Sequence, residues 1–317
     1  MNDPIARTEA GRLASRWIAD FGAALARRDV GGVVSLFDAD CYWRDLISFT
    51  WNIATFEGLS DIAAMLQATL DSAAPANLKI EGEPDSRDGV IEAWFVFETA
   101  VALGRGHLRL KGDKCWTLLT TMTELKGHEE RKGERREKGV EHGARHNRKS
   151  WLERKNETEA ALGISEDPYC VIIGGGQGGI ALGARLRRLG VPTIILEKNQ
   201  RPGDSWRNRY KSLVLHDPVW YDHLPYLPFP EHWPVFTPKD QLGDWLEMYT
   251  RIMELNYWGS SECRRARFDP NTGHWVLTVN RDGREVTLRC RQLIFATGAY
   301  GPPNETRLPG AETFLGE

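Results

Sequence analysis

YCVIIGGGQGGIALGARLRRLGVPTIILE, residues 169–197, decides how the second half of this chain is read. Tyr169–Ile173 is a short continuous apolar run, as a strand covered on both faces requires. A glycine-rich turn follows directly. A helical stretch comes next, with Ile180, Leu182, Leu186 and Leu189 as its apolar positions. Thr193–Glu197 is a second strand. Together they form a βαβ unit.

The turn fits Gly-x-Gly-x-x-Gly as Gly174, Gly176 and Gly179. With 31 glycines in the chain the pattern alone says little. Its position between a strand and a helix gives it meaning. Gly174 permits the tight turn, Gly176 lets backbone approach a pyrophosphate, and Gly179 lets helix and strand pack closely. The helix start offers free N–H groups and the positive end of a dipole to phosphate. Glu197 closes the second strand, where a carboxylate can accept hydrogen bonds from a ribose diol.

Outward from this unit, the chain of 317 residues has room for about two domains. It is 41% hydrophobic, 27% charged and carries a net charge of −3, which points away from nucleic acid. The N-terminal stretch has no apolar h-region, and no apolar run is long enough for a bilayer. The five cysteines are Cys41, Cys115, Cys170, Cys263 and Cys290, none in a CxxC pair. They read as reduced thiols of a cytoplasmic protein, not as a zinc site or disulfide framework. The 12 tryptophans suit cores, or a pocket for flat rings.

Residues 126–163 are a charged linker, helical towards Ser150–Leu162 and packed by Trp151 and Leu152. Such a stretch buries too little apolar area to offset chain ordering. His142 and His146 sit i, i+4 in it, without a carboxylate or cysteine at matching spacing, so they read as solvated. Metal ligands are therefore none.

Residues 1–125 begin with an amphipathic helix carrying Leu13, Trp17, Ile18, Phe21 and Leu25. Short helices are expected at Val30–Phe37 and Leu59–Leu70. Strands are expected at Leu78–Glu81, Val90–Leu103, His107–Leu110 and Lys114–Glu124. This order, with DADCYWRDLISFTWNIATFEGLSDIAAML inside it, resembles the NTF2-like (SnoaL-like) family. The resemblance implies an α+β cone, in which Trp43, Asp45, Trp51 and His107 either line a pocket or serve as core and rim. It also allows a homodimer.

After Glu197 come RPGDSWRNRY (201–210), SLVLHDP (212–218) and LPYLPFPEHWPVFTPKDQLGDWLEMY (224–249). Later RQLIFATGAYGPPNETRLPG (291–310) places Ala-Thr-Gly at the end of an apolar strand. Residues 165–317 look like the class B flavin-containing monooxygenases, which include Baeyer–Villiger relatives. The fold implied is an α/β Rossmann-like FAD-binding domain over residues 164–317. Arg264–Arg267 reads as a strand rim, with Phe268, Trp275 and Leu277 alternating as in a hairpin.

The resemblance carries FAD binding onto Gly174, Gly176, Gln177, Gly179, Glu197 and Lys198. It adds Gly203, Asp204 and Trp206 beside the flavin, and Thr297 and Gly298 at the strand end. Many relatives have Gly-Gly where this chain has Gly203-Asp204. His216 and Asp217 fall where relatives place polar residues near the flavin, or where a strand-end histidine bonds backbone. No catalytic acid or base is assigned.

The implied activity is an FAD- and NADPH-dependent monooxygenase acting through a C4a-(hydro)peroxyflavin. One oxygen of O₂ enters a small organic substrate at nitrogen, sulfur or a ketone. The alternatives are a flavin reductase or oxidase that makes peroxide, and a non-catalytic FAD-binding or dimerisation module. A disulfide reductase is disfavoured, because no cysteine lies between Cys170 and Cys263.

The sequence holds one dinucleotide fingerprint, where the resembled family has a second for NADPH. The family's F-x-G-x-x-x-H motif begins at Phe314 and runs out at Glu317. Both features lead to the expectation that the FAD-binding domain is incomplete, cut before the NADPH fingerprint, and that residues 1–317 alone do not turn over NADPH.

Overall fold

The computed structural model describes residues 4–136, 138, 139, 143, 146–298 and 308–315. Contacts divide the chain into two compact units, Met1–Glu130 and Arg131–Glu317.

In the first unit, α1 (Pro4–Ala26) presents Ala10, Ala14, Trp17, Ile18, Phe21 and Leu25 to the core at helical spacing. The α2 helix (Val30–Val34) is capped by Asp29, whose side chain accepts from the Gly32 N–H at 2.8 Å. Then follow β1 (Phe37–Leu46), β2 (Ile53–Glu57) and α3 (Gly58–Ala73). Four longer strands complete the unit: β3 (Ala76–Arg87), β4 (Val90–Glu98), β5 (Ala102–Lys111) and β6 (Lys114–Leu125).

They form one six-stranded sheet in the order β2-β1-β6-β5-β4-β3. β1 and β6 pair in parallel and the other neighbours antiparallel. The expected strand Val90–Leu103 is two strands. Thr99 turns the chain, its hydroxyl accepting from the N–H of Ala102 at 3.0 Å. The expected helix to Phe37 ends at Val34, and Phe37 starts β1 instead.

Trp43, Phe21, Phe95, Leu108, Leu110 and Leu118 fill the interior of this unit. Each such side chain contributes about 1.5–3 kcal/mol by leaving water. Gly104 and Gly106 leave room for two rings. A Cβ on Gly104 would stand 2.3 Å from the Phe97 ring, and one on Gly106 2.1 Å from the Phe95 ring. Trp43 and Asp45 are therefore packed core, while Trp51 is 64% exposed. His107 lies at a cross-strand position beside Trp94, with ring centroids 4.5 Å apart. Trp43 and Asp45 meet at the Thr120 hydroxyl, which accepts from the indole N–H at 2.9 Å and donates to the carboxylate at 2.7 Å.

In the second unit, α4 (Trp151–Ala161) starts at a capping box. Ser150 and Glu153 exchange side-chain and backbone bonds there. Trp151 and Leu152 do not pack as expected. They sit in its first turn, 51% and 55% exposed, and α4 buries no side chain among its described residues.

The parallel sheet has the order β13-β7-β8-β9, from β7 (Cys170–Ile173), β8 (Thr193–Leu196), β9 (Tyr257–Trp258) and β13 (Gln292–Phe295). Helices α5 (Gln177–Arg188), α6 (Asp204–Arg207) and α7 (Lys239–Ile252) belong to this unit too. Cys170, Ile172 and Ile195 pack with Ile180 of α5 and Leu242, Leu246 and Tyr249 of α7. Val171, Ile194 and Leu196 pack with Leu277, Val279 and Leu288. The latter belong to an antiparallel meander of β10 (Ser261–Asp269), β11 (His274–Arg281) and β12 (Arg284–Cys290). Alternate residues thus enter opposite layers, which is why the strands read as unbroken apolar runs.

The α5 helix buries Gly179, Ile180, Gly183 and Ala184, with Leu182 and Leu186 partly buried against the same core. Small residues bring its backbone close. A Cβ on Gly183 would lie 2.6 Å from Ile195 Cδ1. Among the described residues, no helix is long and apolar enough to cross a membrane.

Candidate dinucleotide-binding site

The site forms where the C-terminal ends of β13, β7 and β8 meet the start of α5. Gly174 leaves β7 with φ +108°, a region that favours glycine. A Cβ there would stand 2.4 Å from the Ala296 carbonyl oxygen and 3.1 Å from the Thr297 nitrogen. The end of β13 therefore presses backbone against the turn. Thr297 and Gly298 follow at once, both exposed, Gly298 with φ +96°.

A Cβ on Gly179 would lie 1.9 Å from the Gly174 carbonyl oxygen, so strand end and helix touch through this residue. Gly176 is different. It is the N-cap of α5 with an ordinary φ of −76°, and no side chain caps the helix there. A Cβ on Gly176 would meet nothing nearer than Ser205 Oγ at 3.9 Å. The space beside Gly176, at the start of α5, is therefore open. Arg185, Arg187 and Arg188 complement the dipole at the other end.

Glu197 is 7% exposed. Its Oε2 accepts from the Gly175 N–H at 2.8 Å. Its Oε1 accepts from the Asn199 N–H and Nδ2 at 2.9 and 2.7 Å. The carboxylate braces the turn, and Oε2 keeps a lone pair for a further donor. Lys198 beside it is exposed.

Gly203 must be glycine. Its φ is +88°, and a Cβ would stand 2.2 Å from the Gly243 carbonyl oxygen. Trp206 donates its indole N–H to Gln177 Oε1 at 3.0 Å, joining α6 to the start of α5. Ser205 was not singled out by the sequence. Its Oγ is buried with no hydrogen-bond partner and lies on the Gly176 side of α6. Its only sequence signal is its place between Asp204 and Trp206.

Two expected residues do other things. Asp204 accepts from the Arg201 N–H at 3.0 Å and from Arg207 NH1 at 2.9 Å. Arg207 in turn bonds Asp244 and Glu247 of α7, each at 2.9 Å. Asp204 therefore fixes its own loop, and its charge is taken up by Arg207. His216 has a side chain 95% exposed, 3.6 Å from Asp217, and no described group encloses it. Its position in the open segment before α7 leaves it no wall to pack on.

The thiols do not form a redox pair. All five cysteines are free. Burial pushes Cys170 and Cys290 up to about 11, and holds Cys41, Cys115 and Cys263 above their usual range. None is a thiolate at neutral pH. Among the described residues no three His, Cys, Asp or Glu gather as for a metal ion. His142 lies outside the described residues. A cavity of about 650 Å³ lies elsewhere, between α4, the end of α5 and the start of β8, and includes none of Gly174, Gly176, Gly179, Glu197, Gly203 and Trp206.

A family model described as pyridine nucleotide-disulphide oxidoreductase matches residues 171–316. The indole-3-pyruvate monooxygenase YUCCA1 of Oryza sativa subsp. japonica is 37% identical over 150 residues, 47% of this chain and 36% of that protein. The probable indole-3-pyruvate monooxygenase YUCCA9 of Arabidopsis thaliana is 36% identical over 129 residues, 40% of this chain and 31% of that protein. The chain thus spans about a third of the length of the curated relatives it matches. Among solved structures, a flavin-containing monooxygenase from Stenotrophomonas maltophilia is 28% identical, with a TM-score of 0.39. That match covers 44% of this chain and 42% of that one. The fold of the matched half is α/β and Rossmann-like.

Proposed function

We propose that the second unit holds FAD, and that the protein works as a flavin-dependent monooxygenase on a small organic substrate with O₂. The observation that carries the cofactor is the open face of Gly176 beside the buried, unpartnered hydroxyl of Ser205. A dinucleotide pyrophosphate fits that combination. It is an anion that needs backbone approach, helix N–H donors and a hydroxyl donor.

In this reading Gly174, Gly176 and Gly179 shape the loop, and Gln177 begins the helix whose N–H groups meet the phosphates. Glu197 accepts from the ribose while bracing Gly175. Trp206 walls the flavin side, with Gly203 setting its loop and Thr297 and Gly298 lying against the cofactor through backbone. Asp204, Lys198 and His216 are left out of the contact set. Bound flavin supplies the redox chemistry, and the protein supplies position and exclusion of water.

The activity is proposed from the relatives named indole-3-pyruvate monooxygenase. NADPH is proposed as the reductant on the family resemblance alone. The substrate classes are a nitrogen or sulfur nucleophile or a ketone. For residues 1–125 we propose an NTF2-like cone, supported by three helices, two before β1 and one between β2 and β3, with a six-stranded sheet. Its aromatic filling favours a structural or dimer-forming role over a ligand pocket. Residues 126–163 are taken as the connection, and the protein as cytoplasmic.

The test is a titration of the purified chain with FAD, followed by flavin fluorescence. Saturable binding displaced by ADP, and no binding of FMN, is expected. FMN bound as tightly as FAD, or no saturable binding, contradicts the reading.

A further inference from the structure

Gly175 is not one of the three fingerprint glycines, yet a side chain there has no room. A Cβ would stand 2.4 Å from the Tyr257 hydroxyl and 2.5 and 2.6 Å from its ring carbons. Tyr257 belongs to β9, paired in parallel with Ile195 of β8. Its ring lies against the Gly175 backbone, and its hydroxyl donates to the Gly175 carbonyl at 3.2 Å.

Gly175 is thus held at both ends, because its N–H is the one that Glu197 takes at 2.8 Å. Each bond fixes a rigid, trans peptide plane. Glu197 fixes the plane between Gly174 and Gly175. Tyr257 fixes the plane between Gly175 and Gly176. In a trans peptide the N–H points opposite to the C=O. Drawing the Gly175 carbonyl towards Tyr257 therefore turns the Gly176 N–H the other way. Burial first, then the charges of Glu197 and Asp204, hold the phenol protonated far above its ordinary range. It is a donor at every working pH.

We infer that Tyr257 is a positioning residue for the dinucleotide loop: its hydroxyl sets the Gly175–Gly176 peptide so that the Gly176 N–H faces the pyrophosphate. The inference rests on the FAD reading above. It also gives the extra glycine of the Gly-Gly-Gly run a cause, since Tyr257 occupies the space a side chain at 175 would need.

The test compares the wild-type chain with Tyr257→Phe, which keeps the ring and removes the donor. FAD and ADP affinities are measured by titration, adenosine affinity by competition, and the melting temperature without ligand. FAD and ADP are expected to weaken about tenfold, the order of one lost hydrogen bond. Adenosine, which has no phosphate, is expected to keep its affinity. A purely packing role would leave the ratio of ADP to adenosine affinity unchanged. Unchanged FAD and ADP affinities, or an equal loss for adenosine, overturn the inference. If wild-type protein binds neither FAD nor ADP, the FAD reading fails instead.

Discussion

The indole N–H of Trp206 donates to Oε1 of Gln177 at 3.0 Å, across 29 residues of sequence. It ties the short helix α6 to the first residue of α5. The loop that would face the flavin and the turn that would face the phosphates are thereby one assembly. Behind it, Arg207 anchors α6 to Asp244 and Glu247 of α7.

Trp206→Phe keeps an aromatic side chain, smaller than the indole, and drops the donor. FAD affinity is expected to fall about three- to tenfold, the range of a single hydrogen bond. Gln177→Leu should cost a similar amount. The double variant should lose less than the two singles combined, because both remove one contact. Additive losses in the flavin titration would show that the pair is not coupled.

Asp45 is fully buried in the first unit. It accepts from the N–H groups of Ser48, Phe49 and Thr50 at 3.2, 3.0 and 2.9 Å. The hydroxyls of Thr50 and Thr120 add bonds at 2.8 and 2.7 Å. Asp45→Ala strands these donors and should destabilise the first unit by about 3–5 kcal/mol. Urea unfolding measures this. FAD affinity should stay unchanged. A stable Asp45→Ala chain would instead fit a carboxylate kept for ligand binding.

Alkaline pH should weaken the second unit. The thiols of Cys170 and Cys290 are raised from 9.0 to about 11, by burial above all. The phenol of Tyr249 is raised by burial from 10.0 to about 12. Between pH 9 and 11 the folded state holds thiol protons that the unfolded chain has released. Stability is therefore full below about pH 9 and lost as pH rises. Urea midpoints from pH 8 to 11 should fall, and less steeply in Cys170→Ala. A flat or rising profile would contradict these environments.

Much of the second unit is legible in the sequence, because the fingerprint is local. Gly174, Gly179 and Glu197 can be read from a strand, a turn and the next strand. The sequence does not reveal what meets them from afar. Tyr257 lies 82 residues from Gly175, and no periodicity announces that contact. The resemblance puts Asp204 at the flavin through its place between Gly203 and Trp206, yet the charge of Arg207 three residues on decides its role. In the first unit, β2 carries little sequence signal because it is short and at most half-buried. Val90–Leu103 reads as one strand because Ala100 and Val101 continue the apolar run through a turn that Thr99 closes.

The claim that the Gly174–Gly179 turn receives a dinucleotide is tested most directly at Gly176. This glycine has an ordinary φ and open space beside it. Gly176→Val should therefore still fold, with the modest loss of stability that valine brings at a helix N-cap. The valine should fill the volume through which the pyrophosphate approaches. Parallel FAD titrations of folded wild-type and Gly176→Val protein are expected to give a loss of about 100-fold or more. Equal FAD affinities in the two proteins would contradict the account.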